Sequence, residues 1–565
     1  MNAHPPRSAT QALLVAGLLA AGCGGSSDSG GGSDSAALKA SDINPTPRAQ
    51  LRDGGGVRWA VDQFSTQWNL NELDGPTDAT AKVMQALMPR PFRADDQAKI
   101  TPNTNYVRSA EVTDTSPRQV VTYTLNPRAR WSDGKPITYR DFAAQWRAMR
   151  SATGKYQIAT STGYERIAGV ERGSSPYEVV VTFAKPFGEW QAIFDPLYPA
   201  ATNSDPERFN TGYVNKIPVT AGPFKLRKID RTAKAVTLVR DPKWWGQPPK
   251  LDSIVFRALP DDAVVNSFAN GEVDVGDVGS DPAGYKRAEG VPGGAVREAG
   301  GPDFRHITIN GSGPALSDVR VRRAVAMAID RDVIARADLA GLNWPARTMG
   351  NHFLVNTQTG YRDNSGEVGR FDAAKARALL DQAGWKLSGP YRRKNAKTLS
   401  LRFVIPSGVG VSRQEGELTQ KMLQDVGIKL DIRTVPTDDL FDKYVVPGNF
   451  DLAPFAYLGN PFPLFTSKSV YIKPTKDAKG ELQIQQNYAR VGSPKIDRLM
   501  AAGEEAVDRT KGLELINRAD ALVWDEVHSL ILYQRPQITA VKATLGNVGS
   551  EGLAYRRYED IGFVK

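Results

Sequence analysis

The densest group of side chains that could do chemistry lies in residues 130–146, which read RWSDGKPITYRDFAAQW. Its two aspartates, lysine and aromatic rings could form a general acid–base site. Their local spacing favours a structural role, because Asp133-Gly134 is a turn pair and Thr138 lies three residues before Asp141, as in a capping box. We therefore predict a turn followed by the start of a helix.

Other arrangements of catalytic residues are missing from the sequence. The four histidines are His4, His306, His352 and His528. No two of them have metal-ligand spacing, and Cys23 is the single cysteine, which leaves no metal cluster or Cys–His nucleophile. The serine in NGSGP (310–314) lacks the first glycine of a nucleophile elbow, and no Gly-Lys pair has the P-loop frame. A glycosidase-like pair of carboxylates stays open, but the sequence predicts a protein that is not an enzyme and needs no cofactor or metal.

Charge argues against a nucleic-acid partner. The chain of 565 residues has a net charge of +10, from 72 basic and 62 acidic residues that are mostly interleaved. Two stretches lean basic, 118–150 and 386–402, and RRKNAKTLSLR, the part of the second after Tyr391, lacks the stacking aromatic residues that a nucleic-acid groove places among its charges. A general positive surplus suits a protein held beside anionic lipid headgroups.

The N-terminal segment predicts export and lipid attachment. Residues 12–22, ALLVAGLLAAG, have the length of a signal-peptide core and are too short to span a bilayer. With Cys23 directly after them they resemble the lipobox of bacterial lipoproteins, although Leu19 stands one place earlier than in its commonest form. We predict a signal peptide over 1–22 and a lipidated Cys23; an ordinary secretory signal is the alternative.

A flexible tether is predicted after the cysteine. Gly and Ser dominate residues 24–35, a composition with nothing to bury. We therefore predict a flexible linker over 23–50. The folded body would lie outside the cytoplasm, anchored by its lipid to the outer face of the cell membrane, on the periplasmic side in a diderm cell.

The rest of the chain alternates segments with strand and helix patterns. Strand composition marks 120–125, 178–183, 235–239, 252–256, 304–310 and 428–435. The clearest helix is FDAAKARALLDQAGW (371–385), with Asp372 as its N-cap and Gly384 as the left-handed residue after its end. A helix of about 415–426 leads into the last strand. This alternation predicts α/β layering.

Seven segments resemble, in order, the signatures of one protein family. They are ARWSDGKPITYRDF, TAGPFKL, DPKWWGQPPKLDSIVFR, FANGEVDVGDV, VRVRRAVAMAIDRDVI, DAAKARALLDQAGW and LTQKMLQDVGIKLDI. The first, for example, resembles W-x-D-G-x-P-[ILV]-T-x-x-D-[FV]. The family is the extracellular solute-binding proteins of family 5, the oligopeptide-, dipeptide- and nickel-binding group of ABC importers. The resemblance extends from about residue 57 to 565.

The resemblance implies a two-lobe, periplasmic-binding-protein-like α/β fold (type II, cluster C-like) with a hinge and a ligand enclosed between the lobes. Lobe I would comprise 51–302, with an extra subdomain inserted at about 95–208. Lobe II would comprise 303–532, and 533–565 would return to lobe I. The implied function is capture of peptides or peptide-like solutes, by a monomer, for a membrane permease. The alternative is a non-transport accessory lipoprotein of the same fold that binds a cell-envelope glycolipid or another amphipathic ligand.

By resemblance, three segments line the ligand pocket. The loop after the first strand supplies Phe64, Ser65, Trp68 and Asn69. The segment 455–465 supplies Phe455, Tyr457, Leu458, Asn460 and Phe462. The loop 350–358 adds Asn351, His352 and Phe353.

The pocket departs from the family at one point. Peptide-binding members hold the ligand's ammonium with an aspartate in the motif W-x-x-D-x-x-D-P, where this chain has Tyr457 and Asn460 unless the alignment is offset by a few residues. A buried ammonium without a carboxylate would be costly. Either another group binds the amine, with Asp451 as the nearest candidate, or the ligand is not an ordinary free peptide.

Overall fold

The structure is a computed structural model that describes residues 38–150 and 154–565. The predicted signal peptide, the lipidation site Cys23 and the Gly/Ser-rich stretch lie outside the described residues. Within the described residues, no helix has both the length and the apolar character needed to cross a membrane.

The strands fall where the sequence predicts them, with several more between. The first twelve are β1 (Gly56–Val61), β2 (Phe92–Ala94), β3 (Ile100–Pro102), β4 (Val107–Asp114), β5 (Val120–Leu125), β6 (Ile167–Arg172), β7 (Glu178–Phe183), β8 (Phe224–Asp230), β9 (Ala235–Arg240), β10 (Ser253–Ala258), β11 (Val275–Asp277) and β12 (Gly294–Ile309). The others are β13 (Lys386–Ser388), β14 (Tyr391–Lys394), β15 (Lys397–Thr398), β16 (Ser400–Pro406), β17 (Lys429–Val435), β18 (Leu452–Leu458), β19 (Thr475–Lys476), β20 (Leu482–Gln483), β21 (Ser529–Lys542), β22 (Leu545–Gly546) and β23 (Gly562–Phe563).

Helices occupy the connections between these strands. They are α1 (Asp78–Gln85), α2 (Tyr139–Met149), α3 (Ala200–Asn203), α4 (Pro206–Thr211), α5 (Asp261–Ala269), α6 (Pro282–Glu289), α7 (Val319–Ala328), α8 (Arg331–Asp338), α9 (Ala373–Gln382), α10 (Gly410–Asp425), α11 (Pro463–Tyr471), α12 (Pro494–Glu505) and α13 (Arg509–Glu526). A π-helical turn spans Leu440–Val445.

Ten strands form one sheet, in the order β17-β16-β18-β12-β21-β11-β1-β10-β9-β8. By the predicted boundaries, the half from β11 to β8 would belong to lobe I, and the half from β17 to β18 would belong to lobe II. Both halves bury apolar faces under helices, and the larger hydrophobic clusters lie on either side of the middle strands. The sheet is therefore shared by the two lobes.

Two long antiparallel strands, β12 and β21, run through both halves of this sheet. Their pairing holds from Gly294 to Gly300, is interrupted, and resumes at Phe304. β11 flanks β21 before this point, and β18 flanks β12 after it. We propose this interruption as the hinge; the predicted lobe boundaries at about 302 and 532 stay predictions.

A separate antiparallel sheet, in the order β4-β5-β7-β6, lies in the region of the predicted insertion. The side chains of Val121, Tyr123 and Leu125 alternate into its core, as their period predicts. Helix α2 begins with the predicted capping box, because Thr138 accepts a first-turn N–H and Asp141 accepts the N–H of Thr138. The stretch that suggested a reaction centre is a helix start, and the subdomain limits at 95 and 208 stay predictions.

Two predicted helices differ in how well their ends were placed. Helix α9 has Asp372 as its N-cap and is followed by Gly384 at φ +86°, as predicted. Helix α10 begins at Gly410, five residues before the predicted start near residue 415. Its first turns bury Ser412 and Glu415, polar residues that the apolar period cannot reveal.

The prediction of a flexible linker up to residue 50 is wrong for its last part. Asp42 pairs with Ser550, and Leu51 pairs with Val564, in isolated bridges. The side chain of Asn547 also accepts the N–H of Thr46 at 2.8 Å. Residues 39–51 therefore lie on the C-terminal segment of lobe I, because specific backbone pairing there outweighs a polar composition.

Candidate ligand-binding cleft

Strand directions locate the cleft. In lobe I, β1 runs parallel to β10 and β11, and Asp277 at the end of β11 pairs with Thr539, so these strands point towards lobe II. In lobe II, β16 runs parallel to β17 and β18, and Leu458 at the end of β18 pairs with Asp303, beside the hinge. Both sets of carboxyl ends thus face the gap between the lobes, which is where open α/β sheets bind ligands.

The lobe I edge of this cleft is acidic. Asp62 directly follows β1, Asp277 ends β11, and Asp78 in α1 binds the Nζ of Lys82 at 2.5 Å. Burial raises the pKa of the Asp62 and Asp277 carboxyls, although both side chains reach solvent. That combination is typical of carboxylates in a concave site. Lys82 lies among these carboxylates, and Arg535 and Arg556 contribute further positive charge to Asp277 and Lys82 respectively.

The lobe II edge is aromatic. The ring of Tyr457 stacks on His306 with centroids 4.5 Å apart, and its hydroxyl donates to the carbonyl oxygen of Gln486 at 3.3 Å. Phe455 packs edge-on against the same histidine. Leu458 is 74% exposed, which is unusual for a leucine at the end of an inner strand. A ligand here would meet an apolar wall.

The first predicted segment is largely structural. Trp68 and Asn69 are buried, and the amide of Asn69 donates to the carbonyl oxygen of Phe209 at 2.8 Å. In this conformation these two side chains hold the loop on α4, and their contact with ligand stays a prediction. Phe64 is partly buried against the lobe I core, and Ser65 accepts a hydrogen bond from Thr80. Both stay predicted contacts.

In the second predicted segment, some of the predicted contact residues are buried and others are exposed. Phe455 and Phe462 are buried in this conformation, and their contact with ligand stays a prediction. Tyr457 and Asn460 are partly exposed, as the cleft requires. Together with Leu458 they stay predicted ligand contacts.

The third predicted segment is buried in lobe II. His352 binds Asp520 of α13 through Nδ1 at 2.7 Å, and Asn351 donates to Asn517 at 3.0 Å. Phe353 belongs to the hydrophobic cluster of α11, α12 and α13. Asn351, His352 and Phe353 are all buried in this conformation, and their contact with ligand stays a prediction. A loop sequence rich in amide and aromatic side chains can therefore be buried just as readily as it can line a pocket.

Asp451 cannot replace the missing aspartate. It forms a two-pronged ion pair with Arg402, with Nε–Oδ2 and Nη2–Oδ1 distances of 2.8 and 3.2 Å. It also precedes the amino end of β18, roughly 20 Å from Leu458 at 3.3 Å per residue. The suggestion from sequence is wrong because an extended strand separates Asp451, before its amino end, from the cleft at its carboxyl end. The acidic edge of lobe I was missed; its only signal was an aspartate directly after a buried strand.

The lobes touch across the cleft through polar contacts. Gly188 and Glu189 of the inserted region contact α12 and α11. Arg509 donates to the carbonyl oxygen of Ala98 at 3.1 Å and, within its own lobe, to that of Pro461 at 3.2 Å. Thr359 donates its N–H to the carbonyl oxygen of Gln97 at 3.2 Å. The structure therefore has the two lobes together. In the described part of the chain, no group of three or more His, Cys, Asp and Glu residues is arranged to hold a metal ion.

Comparisons with known proteins agree with this architecture. A family model described as bacterial extracellular solute-binding proteins, family 5 Middle, matches residues 108–477. The oligopeptide-binding protein OppA of Mycobacterium bovis is 39% identical over 531 residues, which are 93% of this chain and 87% of that protein. The "Probable monoacyl phosphatidylinositol tetramannoside-binding protein LpqW" of Mycobacterium tuberculosis is 28% identical over 299 residues, 52% of this chain and 46% of that protein.

Solved structures show the same fold. A periplasmic EDTA-binding protein, EppA, is 28% identical with a TM-score of 0.83, covering 93% of this chain and 98% of that one. The oligopeptide-binding protein AppA of Bacillus subtilis, solved with a nonapeptide, is 18% identical with a TM-score of 0.72, covering 91% and 100%. These likenesses confirm the predicted two-lobe periplasmic-binding-protein fold of cluster C type.

Proposed function

Because the chain belongs to the family 5 bacterial extracellular solute-binding proteins, we propose that it captures peptides or peptide-like solutes between its lobes and delivers them to the permease of an ABC importer. Proteins of this family bind solutes and are not enzymes. The observation that carries the proposal is the 39% identity to an oligopeptide-binding protein across 93% of this chain.

The acidic edge of lobe I supplies a partner for a peptide's amino terminus. Asp62, Asp78 and Asp277 surround Lys82 there, with Arg535 and Arg556 adding positive charge nearby. A ligand ammonium would lower the raised pKa of the Asp62 and Asp277 carboxyls. This arrangement compensates for Tyr457 and Asn460 at the family's aspartate positions. The ligand's apolar side chains would lie against Tyr457 and Leu458.

Closure follows from the same contacts. A solute that binds both edges has a higher affinity for the closed arrangement than for the open one, and this difference shifts the equilibrium towards closure. The permease would then distinguish the loaded form by the relative position of the lobes. We propose a monomer as the working unit.

Membrane attachment is a further part of the proposal. We infer that Cys23 is lipidated and holds the protein on the outer face of the membrane. Replacing Cys23→Ser should release the protein from the membrane fraction into the soluble extracytoplasmic fraction. A serine variant that stays in the membrane fraction would contradict the anchor without touching the binding proposal.

A defined peptide library tests the function. A binding peptide should raise the melting temperature of the full chain, since a ligand that binds the folded state stabilises it by mass action, about 2.7 kcal/mol at a hundredfold excess over Kd. Calorimetry should then give one saturable site. If no peptide of two to nine residues gives either response, the peptide assignment is wrong.

The second candidate is an accessory role with a cell-envelope glycolipid or another amphipathic ligand. The likeness to LpqW over 52% of this chain and the exposed Leu458 favour it. Vesicles that contain phosphatidylinositol mannosides should then bind the chain, and peptides should not compete. Permease and ATPase genes beside this one would favour transport, and their absence would favour the accessory role.

A further inference from the structure

One contact between the lobes replaces a helix cap. Helix α11 of lobe II begins at Pro463, and its N-cap Phe462 has no side-chain oxygen to accept the first N–H groups. Glu189 of the inserted subdomain supplies the acceptor oxygens instead. Its Oε1 accepts the N–H of Leu464 at 3.1 Å, and its Oε2 accepts the N–H of Phe465 at 2.6 Å. A carboxylate at this end also meets the positive end of the helix dipole.

The preceding residue fits this contact because it is glycine. Gly188 donates its N–H to the carbonyl oxygen of Glu504 at 2.7 Å. A Cβ added to Gly188 would lie 2.0 Å from the carbonyl oxygen of Ala506. Both acceptors belong to the end of α12, in lobe II. Any larger residue at 188 would thus clash with the other lobe, and only when the lobes are together.

Charged groups from each neighbouring element surround this contact. Arg166 of the inserted subdomain binds Glu504 and lies 3.6 Å from Glu505. Lys468 of α11 binds Glu504 at 2.5 Å. Arg509 at the start of α13 contributes positive charge to the Glu189 carboxylate. The contact is therefore built from complementary charges on both lobes.

One apolar contact completes it. Phe465, the second residue that Glu189 caps, packs against the hydrophobic cluster of lobe I. Glu189 itself is 9% exposed. When the lobes part, water can solvate the α11 amides, Glu189 and the ion pairs, so the contact can form and break without leaving a buried polar group unsatisfied.

We propose that Gly188 and Glu189 form a latch with α11 and α12 that holds the closed arrangement, with Glu189 serving as the cap of α11 only while the lobes are together. This inference rests on the proposed function in one respect, namely that closure of the lobes encloses the solute. The Glu189 half of the latch lies on the inserted subdomain, and the α11 half includes Leu464, whose hydrophobic cluster Tyr457 packs against. The latch therefore sets how readily the cleft closes.

Hydrogen exchange of the full-length chain, resolved by mass spectrometry at single amides, tests this. The amides of Gly188, Leu464 and Phe465 should be protected in the wild type. Gly188→Ala should accelerate exchange at Leu464 and Phe465 by about tenfold or more, although Glu189 is still present, because the added methyl group prevents closure. Gly169→Ala, in the same subdomain with ordinary space for a Cβ, is the matched control and should leave all three amides protected.

Glu189→Ala gives a second, independent result. The latch requires that this variant also deprotects Gly188, whose acceptor is the carbonyl oxygen of Glu504. If Leu464 and Phe465 lose protection while Gly188 keeps it, Glu189 is a local cap and the latch is wrong. Glu171→Gln, an exposed carboxylate on β6, should change nothing.

The peptide library separates the latch from the proposed function. If the substitutions change the exchange rates but no peptide does, the latch is supported and peptide binding is contradicted. Peptides that bind wild type and Gly188→Ala with equal affinity and leave the three amides equally protected in both contradict the latch and support peptide binding.

Discussion

The imidazole of His306 stacks on the phenol ring of Tyr457, with centroids 4.5 Å apart and 6° between the ring planes. Burial holds the pKa of His306 well below its ordinary range, so the ring is neutral. Phe455 closes the edge of this pair at 4.4 Å. The stack fixes the tyrosine near the end of β18.

We expect Tyr457 to act through its ring rather than its hydroxyl. Tyr457→Phe keeps the stack and loses one hydrogen bond, so the free energy of unfolding should fall by no more than about 1 kcal/mol. Tyr457→Ala leaves a cavity beside His306 and should cost about 3 kcal/mol. Urea unfolding of both variants measures the difference. Equal losses would mean that the hydroxyl, not the ring, carries the contribution.

The acidic edge of lobe I should recognise a ligand's amine. Asp277→Asn removes one charge-assisted contact, and the affinity for a bound peptide should fall roughly tenfold to a hundredfold. An N-acetylated form of the same peptide should bind wild type and variant alike. Asp252→Asn, at the amino ends of the same strands, is the control. Calorimetry measures these affinities. An unchanged affinity in Asp277→Asn would mean that the ligand's amine binds elsewhere.

Closure should depend on pH through Glu189. Burial raises the pKa of its carboxyl to about 7, against the opposing effects of the Leu464 and Phe465 amides and of Arg509. An exposed carboxyl in the open form has a pKa of about 4.3. The closed form therefore binds the proton more tightly, so the closed population falls as pH rises from about 4.3 to about 7.

Small-angle X-ray scattering of the ligand-free chain measures this change. The radius of gyration should increase across that range and stay level above it. Glu189→Gln should flatten the response, since its side chain does not titrate. An identical pH profile in wild type and variant would show that Glu189 does not control closure.

A second buried carboxyl predicts a pH effect on stability. Burial and the neighbouring Glu415 raise the pKa of Asp338 to about 8, with Arg305 opposing them. In the unfolded chain an aspartate has a pKa of about 3.9. The raised folded pKa means that stability from this group is full below about pH 3.9 and is lost as pH rises to about 8.

Asp338→Asn should therefore stabilise the protein most at high pH. We expect the free energy of unfolding at pH 9 to rise by about 2 kcal/mol or more, with a smaller gain at pH 5. Thermal unfolding at both pH values measures it. A loss of stability at pH 9 would show that the ionised carboxyl is held by Gln414 and Tyr533, which both donate to it.

Local features were predictable from sequence, and contacts between distant segments were not. Thr138 and Asp141 form the predicted capping box because three residues contain the whole interaction. Glu189 caps a helix 275 residues away, and nothing near it in sequence indicates a partner. The family resemblance nominated the segment with Tyr457 for the cleft, which stays a prediction, and it gave no sign that Trp68 is buried.

The central claim is that the cleft between the lobes binds a peptide. Mass spectrometry of the small molecules that the purified full-length chain releases on denaturation tests it most directly. The account predicts peptides, at up to one molecule per chain, and a reduced amount from Asp277→Asn. Release of a glycolipid in their place, or of no molecule from a chain that also binds no peptide in calorimetry, would contradict it.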